Sequence, residues 1–332
     1  MIKPFPKVEN IHAVAIPFPN DSHLISANVY AIGNGPFTLI DTGPKFPGIF
    51  SYLRKELQKA GIKLSDIERI IITHGHIDHF GLAVSIQKAV GYPVECFIHA
   101  EDSWKLSKKH IEEEMWNPEA ENFMAGAGLP QKEIEAVRKR FSFFRTICDP
   151  LEKISNMGAG DRFPVNGNHL EIIHTPGHTA GSCCIYDSTN KVLFSGDSII
   201  KHITPNPLVE LKRSLLKDPS YQSLKAYLGS LDKLAQLDVR YVFPGHGEYI
   251  DDLPGIITTY REHHLQRREM IWKALKQDPR PVYDLINDVF AFVREGDVFL
   301  AVSDITGHLE ILINEKRAEL IETGPPALYR AV

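Results

Sequence analysis

Five times along this chain an apolar, strand-like run ends in a polar side chain able to hold a metal or a proton. The runs are Leu39-Ile40-Asp41, Ile71-Ile72-Thr73-His74, Ile172-Ile173 leading to His178, Val192-Leu193-Phe194 leading to Asp197, and Val242-Phe243 leading to His246. Strands of one sheet system bring their ends to a common rim, so the pattern predicts a fold in which these residues converge. Gly75, Gly177, Gly196 and Gly245 stand beside the polar groups, where a sharp turn or space for a ligand is needed. Between the runs, helical periodicity at residues 48–60 and again from Gly81 to Val90 gives repeated β-α-β units, the pattern of an α/β core. With 332 residues, 43% of them apolar and 24% charged, the chain has material for one large α/β domain and an appendage, and disorder is excluded.

The densest of these sites is Thr73-His74-Gly75-His76-Ile77-Asp78-His79-Phe80-Gly81. Three imidazoles and a carboxylate within six positions suit a binuclear transition-metal site, because alternate residues of an extended loop point to opposite sides and can serve two ions. His74 and His76 with His178 would hold one ion, Asp78, His79 and His246 the other, and Asp197 would bridge them. Nitrogen and carboxylate donors favour Zn²⁺, with Fe or Mn as alternatives. Any one of the 15 histidines taken alone is better read as a structural residue, and His23, His99, His110 and His308 are read so. Asp41, in an Asp-Thr-Gly turn, reads as a support that hydrogen-bonds the loops. Ser195 lacks the Gly-x-Ser-x-Gly setting of a nucleophile and reads as a turn residue.

The His-x-His-x-Asp-His run at 74–79, with Asp41 before it and His178, Asp197 and His246 after it, resembles the metallo-β-lactamase superfamily. The resemblance implies a four-layer αββα sandwich and the same ligand assignment. Asp197 stands where true zinc β-lactamases have a cysteine, which argues against antibiotic hydrolysis. The stretch Thr175 to Ser182 is similar to the glyoxalase II-like branch, and His76 departs from the glutamate of the flavodiiron pattern. A metal-bridging hydroxide is the nucleophile such a site implies, since bound water can have its pKa lowered from about 16 toward about 7. Asp78 or Asp197 would orient it or relay its proton.

Residues 101–160 read as a helical insertion rich in Trp104, Met115, Trp116, Phe123, Met124, Phe141, Phe143 and Phe144. Beyond Pro254 come a long helix at about 255–276, two short helices, a third at about 303–314, and a two-stranded wing at Ala318–Ile321 and Ala327–Arg330. The expected division is a metallo-hydrolase domain over 1–254 and a winged-helix-like module over 255–332. That tail resembles the extension of lactamase-like hydrolases, and His202, His263, His264 and Arg267 are candidates for substrate contact.

The favoured substrate is a small-molecule thioester or ester with an apolar acyl part, with the insertion shaping the mouth of the pocket. An endoribonuclease or other phosphodiesterase, and a lactonase, are the alternatives. Residues 281–332 carry four basic side chains against nine acidic ones, so a module at −5 repels phosphates and is not a DNA reader. The segment 261–280, with six basic against three acidic, keeps RNA or an anionic carrier open. A net charge of −5 gives no bulk attraction to nucleic acid or anionic lipid. No run reaches the roughly 18 apolar residues of a membrane span. Residues 1–20, with two lysines and four prolines, do not read as a secretory leader. Cys96, Cys148, Cys183 and Cys184 lack metal-binding spacing and read as reduced core thiols of a cytoplasmic protein, one that could assemble as a homo-oligomer.

Overall fold

The computed structural model describes residues 3–18, 24–294 and 296–332; His23 lies outside the described residues. Strand β2 (Ser26–Ile32) is buried at every position. A strand covered on both faces must lie inside a layered structure. It belongs to a six-stranded sheet whose order follows the sequence: β1 (Ile11–Pro17), β2, β3 (Phe37–Ile40), β4 (Ile67–Ile71), β5 (Glu95–His99) and β6 (Ser155–Met157). The first three pair antiparallel, and β3 through β6 pair in parallel. Parallel neighbours need crossovers. Helix α1 (Ile49–Lys59) supplies the first, and α2 (Ile77–Phe80) with α3 (Ala83–Val90) the second. The third crossover contains α4 (Ala100–Ser103), α5 (Pro118–Gly126) and α6 (Gln131–Phe144).

The second sheet runs in the order β11-β10-β9-β8-β7. Its strands are β7 (Arg162–Val165), β8 (Asn168–His174), β9 (Cys183–Asp187), β10 (Val192–Gly196) and β11 (Tyr241–Pro244). All pairs are antiparallel except β10 with β11, which α7 (Ser223–Leu234) connects. The chain closes with α8 (Leu253–Leu275), α9 (Ile286–Val289), α10 (Val298–Asn314) and the hairpin β12 (Ala318–Glu322) and β13 (Leu328–Ala331).

Three apolar clusters make the four layers. Tyr30, Ile40, Ile71, Ile172, Ile185, Phe194 and Phe243 fill the space between the sheets. Leu53, Leu57 and Ile86 cover the outer face of the first sheet, and Leu224, Tyr227, Leu231 and Ile257 that of the second. Each fully buried aliphatic side chain contributes about 1.5–3 kcal/mol. This is the αββα sandwich expected from the sequence.

A fourth cluster lies outside the sandwich. Met124, Ile134 and Val137 of the insertion meet Ile271 and Leu275 of α8 and Val302, Ile305, Leu309 and Leu312 of α10. The insertion therefore forms a common core with the tail. Three expectations change. Ser155–Met157 pairs with β5, so the helical excursion ends before residue 160. Strand β1, seven residues with only His12 polar, and strand β7, four residues that include Arg162 and Pro164, add to the strands the sequence pattern marks. Helix α10 begins at Val298, earlier than the periodicity suggests, because Val298, Phe299, Ala301 and Val302 are buried against the insertion. All four cysteines are buried and unpaired. No helix among the described residues is long and apolar enough to cross a membrane.

Candidate metal centre

Strands β3, β4, β10 and β11 end on one rim, and the loop after β8 reaches the same place. His74 lies in the bend after β4, and His76, on extended backbone, is the N-cap of the one-turn helix α2. Asp78 and His79 therefore sit on a helical turn, not on the extended loop expected, and both can face the same side.

Two groups of donors form. His74 Nε2 lies 3.0 Å from His76 Nδ1, which is 3.0 Å from His178 Nε2. In the second, His79 Nε2 is 3.3 Å from His246 Nε2, and the Asp78 carboxylate is 3.5 Å from His246 and 3.9 Å from His79. Asp197 stands between them, with Oδ1 3.4 Å from His79 Nε2 and Oδ2 3.2 Å from His246 Nε2 and 3.5 Å from His178 Nε2. A tetrahedral ion with bonds of about 2.0–2.1 Å separates its ligands by about 3.3 Å, close to this spacing. All seven sequence-proposed ligands are thus brought together.

The outward ring nitrogens decide what the inward ones can do. His246 Nδ1 donates to the Ser26 carbonyl at 2.7 Å, and His178 Nδ1 to the Asn206 carbonyl at 2.9 Å. A carbonyl oxygen only accepts, so both neutral rings carry their proton on Nδ1 and a lone pair on Nε2. His79 Nδ1 is fixed likewise, 2.8 Å from Asp41 Oδ2. Lone pairs facing each other at 3.3 Å repel unless a proton or a cation lies between them, so the donor set fits a divalent ion. Burial, with the neighbouring imidazoles, holds His74 and His76 well below the ordinary histidine range, and burial holds His178 below it. Burial also pulls on His79 and His246, but Asp41 and Asp197 on the first and Asp197 on the second outweigh it and raise both. Asp197 resists its own burial through His246 and His79 and stays well below the usual carboxylate range.

Two buried carboxylates fix the loops. Asp41 accepts from the Thr73 amide and hydroxyl, each at 2.8 Å, and from His79. Asp102 accepts from the Gly75 amide at 2.8 Å, the Thr179 hydroxyl at 2.6 Å, the Gly181 amide at 3.1 Å and Lys105 Nζ at 2.9 Å. It joins the loop of His74 and His76 to the loop of His178. A Cβ at position 181 would come within 2.7 Å of the Asp102 side chain, so only glycine allows this approach. Burial opposes ionisation, but Lys105 and Thr179 bring Asp102 down to about 2. Sequence reasoning missed Asp102. The available signal was a sixth apolar run, Cys96-Phe97-Ile98-His99, ending on the same sheet edge just before it.

The rim holds His202, exposed and set against Gly247, where an added Cβ would lie 2.7 Å from its ring. Beside His246 runs an aromatic series: Phe18 is 5.8 Å from the His246 ring, Phe46 6.1 Å from Phe18, and Phe143 of α6 6.2 Å from Phe46. Trp116 and Phe123, expected at the pocket mouth, instead pack on Phe141 and Phe299 in the core shared with the tail. His264, expected at the substrate, is covered by Tyr227 and His308, and Arg267 by Phe290; neither they nor His263 belong to the metal groups at the strand ends. His99 stacks on His174 at 3.9 Å and His110 lies 4.7 Å from the Trp104 ring, while Ser195 is buried with its hydroxyl on the Ile199 carbonyl.

Paired histidine and aspartate clusters at the strand ends of an αββα sandwich define a metal-dependent hydrolase. The chain belongs to the metallo-beta-lactamase superfamily, whose family model matches residues 24–246. It is 26% identical over 312 residues to the probable metallo-hydrolase YqjP of Bacillus subtilis (strain 168), covering 93% of each chain. It is also 26% identical over 275 residues to a beta-lactamase-like protein 2 homolog of Caenorhabditis elegans, covering 82% of this chain and 74% of that one. The crystal structure of a metallo-beta-lactamase family protein from Thermus thermophilus superposes with a TM-score of 0.82 at 25% identity, over 98% of this chain and 99% of the other.

Proposed function

We propose that this protein hydrolyses a small-molecule thioester or ester with an apolar acyl part at a binuclear centre. His74, His76 and His178 would hold one ion, Asp78, His79 and His246 the second, and Asp197 both. Two divalent ions there, zinc by the donor set, would lower the pKa of water and polarise the acyl oxygen. Asp78 is the more solvent-reachable of the two central carboxylates, with 18% of its side chain exposed against 8% for Asp197. Its oxygens can accept and pass on a proton. Asp41 and the Ser26 and Asn206 carbonyls keep the imidazoles in the donor tautomer.

The observation that carries the substrate class is the aromatic series Phe18, Phe46 and Phe143 leading away from His246, an apolar wall beside a polar centre, the usual make-up of a small-molecule site. Thr175 to Ser182 supports placement near the glyoxalase II-like branch. We assign residues 1–254 to the catalytic domain and 255–332 to a winged-helix-like module that does not read DNA, and the four unpaired thiols support a cytoplasmic setting. Metal-loaded protein should be assayed against thioesters, esters, lactones and single-stranded RNA. Fastest turnover is expected on a thioester or ester with an apolar acyl chain. Much faster cleavage of RNA or a lactone than of every such substrate would overturn the reading.

A further inference from the structure

A second cluster of ligating side chains lies outside the strand-end centre. Helix α8 carries His264, and α10 carries Asp304 and His308, four residues apart and so on one face. Where the helices pack, one donor atom from each lies within 4.8 Å of the others. His264 Nδ1 is 3.4 Å from His308 Nε2, and Asp304 Oδ1 is 3.9 Å from the same nitrogen. The three residues are only 3%, 8% and 1% exposed.

Their polar atoms are poorly satisfied. The atoms that face one another are His264 Nδ1, His308 Nε2 and Asp304 Oδ1; on the outer sides, His264 Nε2, His308 Nδ1 and Asp304 Oδ2 have no hydrogen-bond partner. A buried polar group left without one costs about 1–3 kcal/mol, and the surrounding interface of Ile271, Val302 and Ile305 could have been completed with aliphatic side chains at no such cost. Sequence reading gave His308 a structural role and His264 a place at the substrate; neither accounts for a carboxylate and two imidazoles enclosed together.

We propose that His264, Asp304 and His308 bind a single divalent transition-metal ion, separate from the catalytic centre, that fastens α10 to α8. The 3.4 Å nitrogen separation matches the ligand spacing of about 3.3 Å around a tetrahedral zinc ion, and water would complete the coordination. Arg267 Nη1 lies 3.4 Å from Asp304 Oδ2, the oxygen not facing His308, as an outer partner of a ligating carboxylate does. Arg267 is itself placed over the Phe290 ring at 4.2 Å, with Nη2 3.3 Å from His263. Its positive charge weakens cation binding here, so this site fills after the catalytic one.

Crystals of the full chain equilibrated with zinc test this directly. Anomalous difference density at the zinc edge is expected between α8 and α10, distinct from density at His74, His76 and His178. Absence of that peak at saturating zinc, with the strand-end peaks present, would overturn the proposal and leave the catalytic reading intact. In solution, zinc titration of His308→Gln should give one equivalent less than the wild-type chain, and zinc should raise the wild-type Tm more than that of the variant. Equal stoichiometry in the two would count against the site. Asp304→Asn serves as the second variant if His308→Gln does not fold.

Discussion

The two donor groups at the strand ends are held in different ways. Asp41 grips a ligand's own ring: it bonds His79 Nδ1 and the Thr73 hydroxyl, so its charge acts on the chemistry of a donor. Asp102 touches no ligand side chain. It bonds the amides of Gly75 and Gly181 and the hydroxyl of Thr179, and its charge is balanced by Lys105, which also pairs with Glu210 at 2.8 Å. Asp41 thus holds a ligand ring as well as the Thr73 amide of its loop, whereas Asp102 acts through loop position alone. A carboxylate can serve the same centre as an electrostatic partner of a donor or as a fastener of the loops that carry donors.

Asp197→Ala should erase this contrast, because both donor groups lose the carboxylate that stands between them; activity is expected to fall to background with loss of metal, read by elemental analysis. Asp102→Asn should act mainly on the fold. It leaves Lys105 with one buried partner fewer, and a loss of about 3 kcal/mol in denaturant unfolding is expected. The same variant should change acid stability. With its folded pKa at about 2 against an ordinary 3.8, Asp102 stabilises the fold above about pH 4, and that contribution disappears as pH falls toward 2. Wild-type unfolding free energy should decline through that window more steeply than that of Asp102→Asn. Asp41→Asn should act on the metal: in the binuclear centre proposed above, affinity for the ion held by His79 falls about 10–100-fold while the other binds as before, read by competition with a chelator. Phe46→Ala touches neither anchor. It should raise KM about tenfold for substrates with long acyl chains and leave kcat nearly unchanged, since only apolar contact common to ground and transition states is removed. If Asp102→Asn weakened metal binding as selectively as Asp41→Asn without destabilising the fold, the distinction between the anchors would fail.

The strand ends were legible because each carries an abrupt change from apolar to ligating chemistry within a few residues, as at Ile71-Ile72-Thr73-His74. Their convergence follows from the sheet. Asp41 was legible as a support from its turn. Asp102 was not, since an acidic residue opening a charged helical stretch looks like a solvated one; only Gly75, Thr179 and Gly181, distant in sequence, show that it is enclosed. The aromatic residues of the insertion were misplaced for a related reason. Composition said that Trp116 and Phe123 needed covering, but whether by substrate or by protein depends on α10, more than 170 residues later. Strand β6, three residues with two exposed, has too little apolar pattern to be recognised before its pairing with β5 is seen.

The core shared by the insertion and the tail sets a schedule for synthesis. Helices α5 and α6 leave the ribosome early, with Met124, Ile134 and Val137 exposed to water. Their partners Val302, Ile305 and Leu309 emerge, at about 5–20 residues per second, roughly ten to thirty seconds later. During that interval the nascent chain displays an uncovered apolar face beside a sandwich that is itself still incomplete, and this is the stage at which a chaperone would find it.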